Sequence, residues 1–292
     1  MVVAIYGRAL SSDSSVEAMQ LLLRKLEKAG IRSVIYQPFL EHIGKKVKAN
    51  PKDVFVKHQD IRGKAEFLFS IGGDGTLLET VTFVRDSEIP VIGINTGRLG
   101  FLSSITKDEI GIAVDSLLKK QYALDKRSLL ELNVKGKYFP DCRFALNEIA
   151  VQKTDSSSMI TIHASVNGKF LNSYWADGLI VATPTGSTAY SLSCGGPIVM
   201  PDSDNFVITP IAPHNLNVRP VIISSHDTVT LEIESRIPNY LVSVDSHAET
   251  LPASVKLNIK KAEFSISLFK LKNHDFLSTL RGKLMWGLDK RN

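Results

Sequence analysis

A single carboxylate enclosed by glycines, Gly72-Gly-Asp-Gly-Thr76, closes the apolar run Phe67–Ile71. Residues without a Cβ can take positive φ and let a phosphate reach the backbone, so Gly72, Gly73, Gly75 and Thr76 read as a phosphate-binding turn. Consecutive N–H groups in such a turn form an anion site, reinforced by the N-terminus of a following helix. That helix is expected over Leu77–Arg85. An acid inside an anion site points to a reaction. Asp74 can accept a proton from an attacking hydroxyl, or hold a metal ion beside the phosphates. The plain alternative is a strand-to-helix turn capped by Asp74.

Further along, Asn147-Glu148 lies within an apolar strand, where adjacent polar side chains need partners or solvent. Trp175-Ala-Asp177-Gly178 precedes a strand, and Pro184-Thr-Gly-Ser-Thr-Ala-Tyr-Ser-Leu-Ser193 follows it. That segment packs hydroxyls and one aromatic ring into a turn expected to open a helix. A carboxylate or amide aimed at ribose hydroxyls is one use for these groups. N-capping by the hydroxyls, an edge pair at Asn147 and Glu148, and a core Tyr190 are the structural alternatives.

The elements that must carry these residues fall into two textures. Val2–Tyr6 reads as a strand, Ser15–Ala29 as an amphipathic helix stopped by Gly30, and Ile31–Tyr36 as a second strand. Ala65–Ile71 is a buried strand leading into the glycine turn, and Asp108–Tyr122 a closing helix. Between them, Ile89–Asn95 leads into a second glycine-bearing turn, Thr96-Gly-Arg-Leu-Gly100, where Arg98 could steady phosphate charge or form a structural ion pair. Alternation of this kind implies a Rossmann-like parallel α/β domain with ligands at the C-terminal strand edges.

From about Leu124 short β-rich runs follow one another, with Asn167-Gly168 a strong hairpin signal. They imply a β-sandwich-like second domain. Phe276–Trp286 turns helical again, so the C-terminal helix is expected to return to the first domain. The boundaries expected are 1–123, completed by 270–292, and 124–269. Thr154-Asp-Ser-Ser-Ser158 reads as a polar loop.

Composition narrows the function. Of 292 residues, 43% are hydrophobic and 22% charged, which suits a globular chain with a substantial core. No apolar run approaches the ~20 residues of a membrane span, and the N-terminus reads as a strand rather than a signal peptide. Cys142 and Cys194 are too few for a disulfide framework, which suggests a reduced, cytoplasmic protein. The net charge of +5 suits anionic ligands but is too scattered to argue for nucleic acid.

Taken together, Gly72–Thr76, Asn95-Thr-Gly-Arg-Leu-Gly-Phe-Leu102, Asn147-Glu148, Asp177-Gly178 and Pro184–Ser193 resemble the NAD kinase family. Gly195-Gly-Pro197 and Pro213-His214 extend the resemblance, which runs in order from about residue 65 to 250. The glycine-acid turn alone is shared with lipid kinases and phosphofructokinases; the series of segments is far more specific. The resemblance implies phosphorylation of the adenosine ribose 2′-hydroxyl of NAD to give NADP, by a cytoplasmic dimer or tetramer with no nucleic-acid or membrane partner. ATP or polyphosphate would be the donor, and Mg²⁺ would arrive with it.

By position, Asp74 would be the general base, with Gly75 lining the same site. Asn147 and Glu148 would hydrogen-bond ribose, and Asp177 would lie in the NAD site. Thr188, Ala189, Tyr190, Ser191, Leu192 and Ser193 would embrace the dinucleotide, and Ala212 falls at a family contact position. Two departures stand out. Trp175 occupies a position that is basic in some relatives. Asp245-Ser246-His247 replaces an Asp-Gly-Gln, so His247 is either a ligand contact or a surface turn residue. A lipid kinase and a nucleotide sensor without catalysis are the other classes left open. The hydroxyl-rich Thr183–Ser193 segment argues for a polar ligand.

Overall fold

The structure, a computed structural model, describes residues 1–8, 13–44, 47, 53–97, 100–155, 158–272 and 274–286. Arg98, and Ser156 and Ser157 of the polar loop, lie outside the described residues. The chain forms two compact units, Met1–Lys126 with Ile266–Asn292, and Arg127–Ser265.

In the first unit, strands and helices alternate: β1 (Val2–Gly7), α1 (Asp13–Lys28), β2 (Arg32–Tyr36), α2 (Gln37–Ile43) and β3 (Asp53–Phe55) come first. α3 (His58–Ile61), β4 (Phe67–Ile71), α4 (Asp74–Val84), β5 (Val91–Ile94) and α5 (Ile110–Leu118) follow. The strands pair in parallel in the order β5-β4-β1-β2-β3. All five residues of β4 are buried, as expected of a parallel strand covered on both faces. α1 lays Met19, Leu22 and Leu26 into the core. It ends in a Schellman motif: Gly30 (φ +66°) donates to the Glu27 carbonyl and Ile31 to that of Leu26.

Two helix boundaries differ from expectation. The helix after the glycine turn begins at Asp74 rather than Leu77, because Gly73 serves as its N-cap and Asp74 to Thr76 are already helical. The helix expected over Asp108–Tyr122 is a 3₁₀ turn at Lys107–Glu109 followed by α5, which ends at Leu118. Tyr122 instead opens a strand, its ring 4.9 Å from that of Phe269 and edge-on to Phe67.

The second unit takes in most of β6 (Tyr122–Val134), then β7 (Phe144–Ala145), β8 (Glu148–Lys153), β9 (Ile160–Val166) and β10 (Lys169–Ala176). β11 (Gly178–Ala182), the short helix α6 (Tyr190–Ser193), β12 (Asn205–Ile211) and β13 (Val221–Ser224) continue it. β14 (Val229–Glu234), β15 (Asn239–Val244), β16 (His247–Pro252) and β17 (Leu257–Leu271) complete it. One antiparallel sheet runs β13-β12-β11-β8-β15-β16; the other contains β10-β9-β14-β17. Ile149, Val151, Leu179, Val181, Phe206 and Val242 from the first share a core with Ile162, Leu231 and Ile259 from the second. β14 shows why: its Val, Leu and Ile alternate with exposed or half-buried polar residues, so one face must be covered. The Asn167-Gly168 turn has φ of +51° and +74°, the two positive values a type I′ hairpin requires.

From Ile266 onward β17 belongs to the first unit, as does α7 (Phe276–Leu284). Phe276 packs its ring 6.4 Å from that of Phe101.

Phe69 is fully buried in β4, the strand that ends in the glycine turn. Phe69→Ala should lower unfolding stability by about 3–5 kcal/mol, measured by denaturant titration of the intact chain. A loss under about 1 kcal/mol would mean that this strand is not a core element.

Candidate active site

The first cluster sits at the carboxyl ends of β4 and β5. Of the three glycines expected to take positive φ, only Gly72 does, at +153°, and a Cβ there would overlap the Thr76 side chain. Gly73 is at φ −92° and Gly75 is helical; at both, the space a Cβ would occupy is open. No side chain caps α4. The two glycines therefore matter because they leave the first amides of a helix bare, an N-terminus ready for an anion.

Asp74 does not cap its own helix. Its Oδ1 accepts from the backbone N–H of Leu102 (3.1 Å) and Ser103 (2.9 Å), and its Oδ2 from Phe101 (2.7 Å). The second glycine turn thus closes onto the first. Gly100 makes this possible, since a Cβ there would overlap the Asp74 carboxylate. Asn95 shapes the returning loop: its Oδ1 accepts from Gly97 N at 2.7 Å, and its own N–H donates to the Ile105 carbonyl at 2.7 Å. An ionised carboxylate has about four acceptor positions, so three amide bonds leave one, on Oδ2.

The second cluster is in the other unit. Asn147 is buried at the turn into β8, and Glu148 starts the strand. Asp245, in the two-residue turn between β15 and β16, accepts from the N–H groups of Leu146 (2.7 Å), Asn147 (2.9 Å) and Glu148 (3.0 Å). Burial pushes the Asp245 carboxyl up to about 6, against the lowering pull of those amides. Glu148 goes further, to about 8, through burial first and the neighbouring Asp245 charge second. Its one lowering contact is the Tyr190 backbone N–H, and its Oε2 is buried with no hydrogen-bonding partner.

Around this pair, Thr188, Ala189, Tyr190 and Leu192 are half-buried and Ser193 is exposed, in a 3₁₀ turn running into α6. The Tyr190 hydroxyl accepts from Gln152 Nε2 at 2.8 Å. Ser191 is fully buried, its hydroxyl bonded to Thr209 Oγ1 at 2.8 Å, so it braces the turn from inside. Asp177 is paired with the Lys153 ammonium at 2.6 Å, and its N–H donates to the Ile211 carbonyl. Ala212, next in line, is exposed at φ +42°, a strained value for a residue with a Cβ. Trp175 is half exposed and stacks on His214, ring centroids 4.2 Å apart. His247 is half-buried at the start of β16. Ser246 is absent from the positive-φ positions, so serine in place of glycine causes no backbone conflict; Asp245 takes the left-handed conformation instead, at +49°.

Each unit therefore gathers its own share of the expected residues: Gly72, Gly73, Asp74, Gly75 and Thr76 in the first, the rest in the second. Gly100, Phe101 and Leu102 were read as part of a second glycine turn but not as partners of Asp74, and Ser103, Lys153 and Gln152 were not singled out from the sequence. Asp245 was noted only as part of a departure. A lone acid closing a strand as apolar as Leu241–Val244 was the available signal for it.

Residues 9–122 match the family model for the ATP-NAD kinase N-terminal domain, and residues 146–271 that for the C-terminal domain. An NAD kinase from Cytophaga hutchinsonii is 49% identical, with both chains fully covered, and one from Flavobacterium psychrophilum is 45% identical over the same extent. Among solved structures, yeast NADH kinase complexed with NADH superposes with a TM-score of 0.88 at 25% identity, covering 98% of this chain and 88% of that one. An Archaeoglobus fulgidus NAD kinase in complex with ATP gives 0.76 at 25% identity, covering 98% and 99%.

Both raised carboxyls bind their protons more tightly in the folded state, so stability falls as pH rises through their window. For Glu148 that window runs from its ordinary 4.5 to about 8. Glu148→Gln removes the group, and the variant should melt at a higher temperature than its parent at about pH 8.5, with little difference near pH 5. Paired thermal melts check this; a variant less stable at the higher pH would mean that ionised Glu148 is stabilised where it sits.

Proposed function

The chain belongs to the NAD kinase family, and we propose that it transfers a phosphoryl group from ATP or a similar donor to the adenosine ribose 2′-hydroxyl of NAD, giving NADP. The observation that carries this reading is the state of Asp74. It is a carboxylate fixed by three amides, with one acceptor position left on Oδ2, at the first residue of an uncapped helix. A proton acceptor beside an anion-binding helix terminus is what phosphoryl transfer to an alcohol needs.

In the proposed step the O2′–P bond forms as the bond from the terminal phosphorus to its bridging oxygen breaks. The shortened donor leaves with that oxygen, and the hydroxyl proton passes to Asp74 Oδ2. The bare amides of α4 bind donor phosphate, with Gly73 and Gly75 leaving room for it. Asn147 and the unpartnered Glu148 Oε2 take the ribose hydroxyls. A carboxyl held protonated can donate as well as accept, and Glu148 is pushed up to about 8. Asp177, Tyr190 and the stacked Trp175 bind the remainder of the dinucleotide.

Mg²⁺ fits this turn as an ion carried in by the donor. The turn offers a single carboxylate, and among the described residues no group of three or more His, Cys, Asp or Glu could hold a standing ion. Asp74 would face such an ion, which when bound would neutralise charge on the donor. Among the described residues no helix is long and apolar enough to cross a membrane. Cys142 and Cys194, both free thiols, suit the reducing cytoplasm we propose.

NADP formation from NAD, ATP and Mg²⁺, read with an NADP-specific dehydrogenase, tests the reaction. Asp74→Asn should lower turnover by about 10²–10⁴-fold while NAD binding persists. Wild-type-like turnover in that variant would remove Asp74 from the chemistry. No NADP from the wild type, with ATP or polyphosphate, would remove the reaction.

A further inference from the structure

Every backbone polar group of residues 146–148 is taken by one of two residues, Asp245 and Thr183. Asp245 takes all three amides: Oδ2 accepts from Leu146, and Oδ1 from Asn147 and Glu148. The Asp245 N–H donates in return to the Glu148 carbonyl at 3.0 Å. Thr183 covers the other side, its hydroxyl donating to the Leu146 carbonyl (2.6 Å) and its N–H to that of Asn147 (2.9 Å). Gly186 lies so close to the Asn147 carbonyl that a Cβ there would overlap it. Two of these bonds continue the strand ladders, and the side chains of Asp245 and Thr183 supply the other four. Residues 146–148 enter this scaffold through main-chain atoms alone, so the Asn147 and Glu148 side chains take no part in it.

Asp245 also takes a left-handed conformation, φ +49°, which aspartate tolerates in a two-residue hairpin turn. Its own bonds explain why it stays there. We propose that Asp245 is the positioning residue for Asn147 and Glu148, fixing the turn from which they reach the ribose while touching no substrate itself. This rests on the NAD reading given above. It assigns the acid of the Asp245-Ser246-His247 turn a role in the reaction through another pair of residues.

The test compares Asp245→Ala, Asp245→Asn and the wild type in the NADP assay, with a thermal melt of each. Asp245→Asn keeps an amide oxygen for the two amides that Oδ1 holds and loses only the Leu146 contact. It therefore decides the matter even if Asp245→Ala does not fold. It should lower kcat/KM for NAD at least about tenfold, with the change in KM for NAD rather than kcat. Combined with Glu148→Gln, the losses should be markedly less than additive, because both act through the same contact. A merely structural acid predicts lower thermal stability with unchanged KM, and that result would overturn the proposal. Fully additive losses would overturn it too. The wild-type arm keeps the two readings apart. Failure to make NADP there counts against the kinase reading, whereas normal wild-type turnover with a parental KM in Asp245→Asn counts against Asp245 alone.

Discussion

A loop that leaves a strand carries amides with no ladder partner, and an unpaired buried amide costs about 1–3 kcal/mol. This protein answers that constraint twice in the same way, by giving three consecutive amides to one carboxylate. Asp74 collects Phe101, Leu102 and Ser103; Asp245 collects Leu146, Asn147 and Glu148. Bonds to an ionised acceptor are roughly twice as strong as neutral ones. Each acid therefore sets the shape of a turn that sequence alone would leave flexible. In the proposed reaction the first acid is itself the group that takes the proton, and the second positions others.

The glycines follow from this arrangement rather than from a general need for positive φ. Gly100 is fixed by the volume of the Asp74 carboxylate and Gly186 by the Asn147 carbonyl, whereas Gly72 answers both to its positive φ and to Thr76. Gly73 and Gly75 have no such neighbour, and their value is the open space over the start of α4. The second cluster carries an electrostatic penalty. Two carboxyls near each other are both pushed up, Asp245 to about 6 and Glu148 to about 8, chiefly by burial. Glu148 gains little in return: the Tyr190 backbone N–H donates to it, but its Oε2 has no partner. A buried carboxyl oxygen left without a protein partner is what the proposed ribose contact would use.

Much of this was legible in the sequence wherever the signal is local. The alternating first third, the β-rich second part, the Asn167-Gly168 hairpin and the Gly72–Thr76 turn all depend on neighbours in the chain. What was not legible depends on residues far apart. Asp74 and its amides are separated by 27 to 29 residues, Asp245 and its amides by 97 to 99. The start of α4 was placed late because apolar periodicity begins at Leu77, whereas the helix is set by Gly73. The end of α5 was placed late because Tyr122 continues the apolar pattern, yet it packs with Phe67 and Phe269 as a strand residue. Ser191 was grouped with the ligand-facing hydroxyls, and nothing in its neighbours reveals that Thr209 captures it.

Two carboxylates hold the loop amides at both clusters, and amide hydrogen exchange of the free protein reads those bonds residue by residue. Phe101, Leu102, Ser103, Leu146 and Asn147 lie outside regular strands and helices. Exchange at these five positions as slow as in the neighbouring strands is the result expected. Exchange at the rate of open loops, in an otherwise protected protein, would contradict it.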